Sequence, residues 1–491
     1  MSPTKMELPI TGSDIFSDFR PAAGCLYQTT SQNTGRYNGT ATVEPEHMTI
    51  KPGMFLSSGE PVPNYLPPQW SSFVHPEGQL YFCRHSTLRI VTEAYLYHLD
   101  TMIKVAWWSK EIEDRLVERN FDLSGDVEVF LQITGADCAY YIVDHRAHTM
   151  FWLDELDTDD LGLLPAVSPS HLLLALNELY WTHVEYFPMH LNGLPLSVVD
   201  ELLGVFSHAL VDHMTSRTST FPYAAPQCTK FLELLKISRT QPHDGNTTCL
   251  VARLWHLIYH HRFSTHYGEE NPRLSRDQAI LVDSTRESRS IGFLTSALSF
   301  KTSDTYLARL NDIYTDRLVY AHQWQPFISA CMKDWRINSY LVCSLNRSVL
   351  HLLLVFASPS RYLLFVSGIC LSGSLVSSTI LIHHHQPLQD STASEASTYL
   401  TAILSKRFKF QLVAFVYSLP RTLYFWGLTT FFLNWIVAFA AFAGIWLAAV
   451  LSFVCLCAIV AIQQVVSQTR IRDSWSWPTI RLTESVDTSP A

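Results

Sequence analysis

Two stretches of the chain, 70–96 and 127–152, alternate apolar and polar residues and turn at the glycine-containing segments PEGQ and TGAD. A two-residue period with such turns predicts short, paired strands. Beyond Pro165 the period becomes helical: Val199, Leu202, Leu203, Phe206, Leu210 and Met214 recur at three- and four-residue spacing. Ser197-Val-Val-Asp200 reads as the capping box that opens this helix. Further helices are predicted over 170–185, 227–237, 248–266, 275–284 and 302–337, the last interrupted by Pro326.

Towards the C-terminus the polar positions vanish. Residues 362–382 carry no charge over 21 positions, enough to cross about 30 Å of hydrocarbon. Residues 422–469 are charge-free over 48 positions, about 72 Å as a helix, which predicts two passes joined by a tight turn. Gly444 is the preferred break over Asn434, because it keeps Arg421 at an interface. The segment 348–357 (SVLHLLLVFA) is long enough only to dip into the bilayer, so three or four spans stay open. Small residues in the first span, Ser367, Gly368, Ser372, Gly373 and Ser374, suit close helix contact.

Charge sharpens this division. The chain carries 35 basic and 44 acidic residues, and residues 341–491 hold nine and five of them, so the acidity belongs to the N-terminal two-thirds. That balance argues against nucleic acid as a partner and leaves the lipid bilayer as the expected one. The basic clusters Lys406–Lys409 and Arg470–Arg472 flank the long apolar run, and a hairpin would put both in the cytosol. No signal peptide is predicted, and ten cysteines without a C-x-x-C pair fit a cytosolic, reduced soluble part. The expected organisation is a disordered 1–60, strand modules at 61–97 and 126–155, and a helical domain at 165–340. Membrane segments at 346–382, a hairpin at 410–468 and a polar tail at 469–491 follow. The fold class is therefore an α+β multi-domain membrane protein.

The two strand modules share a spacing. Trp70 lies eleven residues before Tyr81 and Phe130 eleven before Tyr141; His85 and His145 each follow four later. Seven residues beyond each histidine stand Thr92 and Trp152. With Pro67 ahead of Trp70 and with Phe82, the first module resembles a WW domain, a three-stranded meander that binds proline-rich peptides. The resemblance implies a structural role for Trp70, Phe82 and Pro67, and a peptide groove from Tyr81 and His85. In the second module the groove would comprise Tyr141, His145 and Trp152, with Phe130 behind the sheet. Thr92 stands where the first module's groove tryptophan would be. Module order and C-terminal spans together resemble the WW-domain-containing membrane proteins of mushroom-forming fungi, a family without an assigned activity.

Candidate chemistry is sparse. Of 21 histidines, His208 and His213, His256, His260 and His261, and His383 to His385 form clusters. Such clusters suit iron in membrane-bound enzymes, but two of the three precede every predicted span. They assign no metal ligand. The acidic run 154–160 departs from a calcium loop at Leu161 and Ser168 and reads as a solvated linker. No catalytic residue and no cofactor is implied. The sequence points to a non-enzymatic, membrane-anchored interaction protein with proline-rich segments as partners. The alternative is an accessory protein or His-box metal enzyme of fungal specialised metabolism, acting on a lipophilic metabolite.

Overall fold

Both alternating stretches fold as strands, in a computed structural model that describes residues 24–37, 42–54, 66–121, 126–216, 218–276, 278–281, 287–316, 318–355, 361–447 and scattered positions to 461. The chain divides into two compact units, Met1–Val282 and Asp283–Ala491.

In the first unit the strands are β1 (Leu26–Gln28), β2 (Trp70–Val74), β3 (Leu80–Arg84), β4 (Arg89–Thr92), β5 (Val127–Thr134), β6 (Asp137–Asp144) and β7 (Thr149–Phe151). They form one seven-stranded sheet in the order β1-β6-β5-β4-β3-β2, with β7 also on β6. The two meanders are therefore not separate modules. They join through a parallel pairing of β4 with β5, in which Val91 faces Phe130. The segment expected to be disordered also contributes, since β1 pairs in parallel with β6 from Leu26 opposite Cys138. Residues before 24 lie outside the described residues.

Helices cover both faces of the sheet. One helix, α1 (Leu99–Glu118), has no counterpart in the sequence expectation. Its Met102, Val105, Trp108, Ile112 and Leu116 are buried at helical spacing. On that face they meet Phe82, Ile90, Val129 and Leu131. The opposite face carries Tyr81, Val91, Phe130 and Tyr141, which pack with α2 (Pro169–Tyr186), α3 (Leu196–Thr215), α4 (Ala225–Ser238) and α5 (Gly245–Ser264). The side chain of Ser168 accepts from the His171 amide and Pro169 occupies the first turn, so α2 starts where both residues favour it. The Trp181 and Trp255 rings stack at 5.8 Å between α2 and α5.

Several expectations are corrected here. Helix α3 begins at Leu196 with Pro195 at its cap position and no side-chain capping bond, so Ser197 is already helical and the capping box does not form. The described residues of 275–284 are not helical. Phe130 does not sit behind the sheet: its ring stacks on Tyr141 at 4.7 Å, because the two residues are direct cross-strand partners.

The second unit is helical: α6 (Arg289–Leu298), α7 (Thr302–Ile313), α8 (Ala321–Val355), α9 (Arg361–His385), α10 (Ala393–Ile403) and α11 (Gln411–Ala443). The break expected at Pro326 falls instead between α7 and α8, and Pro326 lies inside α8. Two helices, Arg361–Asp390 and Gln411–Phe442, are long and apolar enough to cross a membrane. Helix α11 ends before Gly444, whose φ of 91° only glycine adopts readily. Most residues beyond it, including Arg470, Arg472 and the 469–491 tail, lie outside the described residues. The small residues of α9 do face a neighbour. Ser367 donates to the Gly427 carbonyl at 2.7 Å, and Ser374 to the Pro420 carbonyl.

Candidate metal centre

Glu128 is fully buried in β5, on the face covered by α2. Strand alternation puts it on the same side as Phe130, among apolar neighbours, where a lone carboxylate would be costly. Three imidazoles converge on it. His183 of α2 brings Nε2 to 2.9 Å from Oε1, and His190, in the loop after α2, brings Nε2 to 2.8 Å from Oε2. His145, at the end of β6, holds Nε2 3.5 Å from Oε2. Arg89, directly opposite Glu128 on β4, is the carboxylate's counter-charge, with Nε at 3.4 Å. Burial opposes ionisation of Glu128, but the imidazoles, His190 foremost, outweigh it and hold the carboxyl well below the ordinary carboxylate range. Burial also lowers His183 to about 4, so it is neutral near pH 7.

Each histidine is held from behind by a tyrosine hydroxyl. The pairs are His183 Nδ1 with Tyr141 at 3.0 Å, His145 Nδ1 with Tyr180 at 3.2 Å and His190 Nδ1 with Tyr81 at 3.3 Å. The tautomers then separate. Tyr81 Oη already accepts from the Met189 and His190 amides, so its own proton goes to His190 Nδ1. His190 is thereby fixed as an Nε2–H donor to Glu128. The hydroxyls of Tyr141 and Tyr180 have no such load and can donate or accept. His183 and His145 can therefore present a lone pair at Nε2. Among the described residues His145 Nε2 is buried and has no hydrogen-bond partner.

One carboxylate oxygen of Glu128 and one ring nitrogen each of His145 and His183 lie within 4.8 Å of one another. Metal–ligand bonds near 2.1 Å put neighbouring ligands about 3–4 Å apart, so a modest contraction would seat an ion. Two imidazoles and a carboxylate suit zinc or ferrous iron. Outer hydrogen bonds that orient the rings are a regular companion of such ligands.

The sequence-assigned residues fare unevenly. Tyr81, Tyr141 and His145 come together, but around Glu128. Tyr81 and Tyr141 are both 0% exposed, so neither ring can form the wall of a peptide groove. His85 is exposed, edge-on to Phe73. Trp152 is half-buried and its Nε1 donates to the Thr29 carbonyl, which ties it to the segment after β1. Of the residues assigned a structural role, Trp70 donates its amide to the Pro67 carbonyl, and Phe82 is fully buried on the α1 side of the seven-stranded sheet.

The histidine clusters read from sequence disperse. His208 is exposed, His213 meets the Tyr223 carbonyl, His256 meets Thr182 and His260 meets Glu178. His383 and His384 are exposed while His385 turns inward to Tyr399 and Tyr417. Glu128, His183 and His190 went unread, although an ionisable residue within VEVFL is a usable signal. All described cysteines are free. Compared with known protein families, curated proteins and solved structures, the chain matches none.

Proposed function

We propose that this chain is a membrane-anchored protein whose N-terminal unit binds one divalent transition metal, with Glu128, His145 and His183 as ligands and His190 orienting the carboxylate. The observation that carries this reading is His145 Nε2, a buried nitrogen without a hydrogen-bond partner among the described residues, aimed at a buried carboxylate. The experiment is metal analysis of the full chain in detergent, after purification with zinc and separately with cobalt. About one ion per chain is expected, with cobalt giving the visible absorption of a low-symmetry nitrogen–oxygen site. His145→Gln should abolish binding, while His208→Gln, at an exposed position of α3, should leave it intact. Stoichiometric metal that survives both Glu128→Gln and His145→Gln would place the ion elsewhere.

The topology is part of the same proposal: the N-terminal unit and both basic clusters face the cytosol. An even number of crossings must then precede Lys406, so the apolar end of α8 pairs with α9. The helix end at Gly444 supports a return limb after α11. Tags at the N-terminus, at Ser405 and at Ala491 should all be protease-accessible on sealed, cytosol-out membranes. A protected Ser405 tag beside an accessible N-terminus would mean that α9 crosses alone.

A further inference from the structure

Two histidines of α5, outside the centre, share one face of their helix. His256 and His260 stand four residues apart, so their side chains are neighbours on the helix surface. Both rings are held from behind by α2. His256 Nδ1 lies 2.8 Å from the Thr182 hydroxyl, and His260 Nδ1 lies 3.2 Å from Glu178 Oε1. Thr182 and Glu178 are 3% and 8% exposed, so buried polar groups set the two rings. Gln32 fixes Glu178 in turn, its side-chain amide donating to Oε1 at 2.8 Å.

These partners settle both tautomers. A carboxylate only accepts, so His260 Nδ1 carries a proton. The Thr182 hydroxyl donates its single proton to the Glu178 carbonyl at 3.0 Å, so His256 Nδ1 must donate to it as well. Each neutral ring then keeps its lone pair at Nε2, pointing away from its partner on α2. Among the described residues neither Nε2 has a hydrogen-bond partner. Water satisfies an exposed imidazole, and the His260 side chain is 57% exposed, so exposure alone asks for no ligand. Two neighbouring rings with both lone pairs fixed differ from that case. The ordering a chelate requires is in place before an ion arrives.

We infer that His256 and His260 bind a second divalent transition ion through Nε2 of each ring, with Thr182 and Glu178 as the outer hydrogen bonds. Two imidazoles at this helical spacing suit copper(II), nickel(II) and zinc, copper(II) most strongly. Two protein ligands leave the remaining positions to water, so this ion exchanges readily and is lost on desalting. The pair shares no ligand with Glu128, His145 and His183. Neither site therefore needs the other.

The test uses the full chain in detergent, loaded with zinc, desalted, and with its exposed thiols capped by N-ethylmaleimide. Copper(II) is then titrated against glycine as competitor and followed by electron paramagnetic resonance. One further equivalent with nitrogen hyperfine splitting is expected. His256→Gln and His260→Gln should each remove it, with far-UV circular dichroism showing that both variants fold. Thr182→Val keeps both ligands and should weaken binding by about tenfold or more. The double variant His383→Gln, His384→Gln removes an exposed pair elsewhere and should change nothing. No nitrogen-coordinated equivalent in the wild type overturns the inference, as does an affinity unchanged in both α5 variants or lost in the His383, His384 variant. Full affinity in Thr182→Val would overturn the orienting role of α2. A chain that retains no zinc yet loses its copper with His256 and His260 would overturn the Glu128 centre and leave this pair standing.

Discussion

Replacing Glu128 by leucine is expected to destabilise the N-terminal unit by about 3 kcal/mol, a large share of a typical domain's 5–15 kcal/mol. The cost does not come from lost volume. It comes from stranding the Arg89 guanidinium, whose side chain is 25% exposed, beside three imidazoles with no anion. Removing one member of a buried pair costs more than removing both. Adding Arg89→Met to Glu128→Leu should therefore recover more than about 1 kcal/mol, although Arg89→Met alone destabilises. Urea midpoints followed by tryptophan fluorescence measure the cycle. Strict additivity of the two substitutions would show that Arg89 and Glu128 are not coupled.

Acid should unfold the same unit well before its carboxylates protonate. His261 is held neutral, with its pKa lowered to about 3, by burial first and then by His260, Arg262 and Arg273. His75 is lowered too, chiefly by burial and then by Arg36. The His75 ring shows why: Nδ1 accepts the Glu77 amide at 3.1 Å while Nε2 meets the Glu185 carbonyl at 3.0 Å. A second ring proton would face the Glu77 N–H. Both histidines bind protons more readily unfolded, near the ordinary 6.5, than folded. Stability is therefore complete above that value and falls as pH drops through it towards the folded pKa. For His261 alone the loss between pH 7 and pH 5 is about 2 kcal/mol, and His75 adds to it in the same direction. Denaturant midpoints across that window should fall accordingly, and His261→Gln should flatten the slope. Constant midpoints from pH 7 to 5 would contradict the buried neutral state.

How much of this could be read from sequence depends on range. Strands β2 to β7 were legible because alternation and glycine turns are local, and Gly78 and Gly135 do take positive φ. The joins of β4 to β5 and β1 to β6 were not, because nothing within a strand names a distant partner. Helix α1 was legible in principle, since Met102, Val105, Trp108, Ile112 and Leu116 keep a helical period. The centre shows the same limit. Tyr81, Tyr141 and His145 were picked out by spacing, but that spacing could not show that α2 covers them. Strand β5 is buried on both faces over Val127–Leu131, so alternation could mark Glu128 as unusual without showing which face it points to. His183 lies in a helix buried nearly all round, where no polar stripe sets it apart.

The pairing of β1 with β6 also has a temporal side. On the ribosome, Leu26 emerges 112 residues ahead of its partner Cys138. At translation rates of about 5–20 residues per second, the nascent N-terminal segment waits on the order of ten seconds with its final neighbours not yet made. Its anchors come later still: Ser31 Oγ donates to the Leu179 carbonyl, 148 residues on, and the Arg36 guanidinium to the Tyr186 carbonyl, 150 residues on, both on α2. A fusion partner that folds quickly and bulkily at the extreme N-terminus would hinder this late docking. The same partner placed elsewhere would spare it.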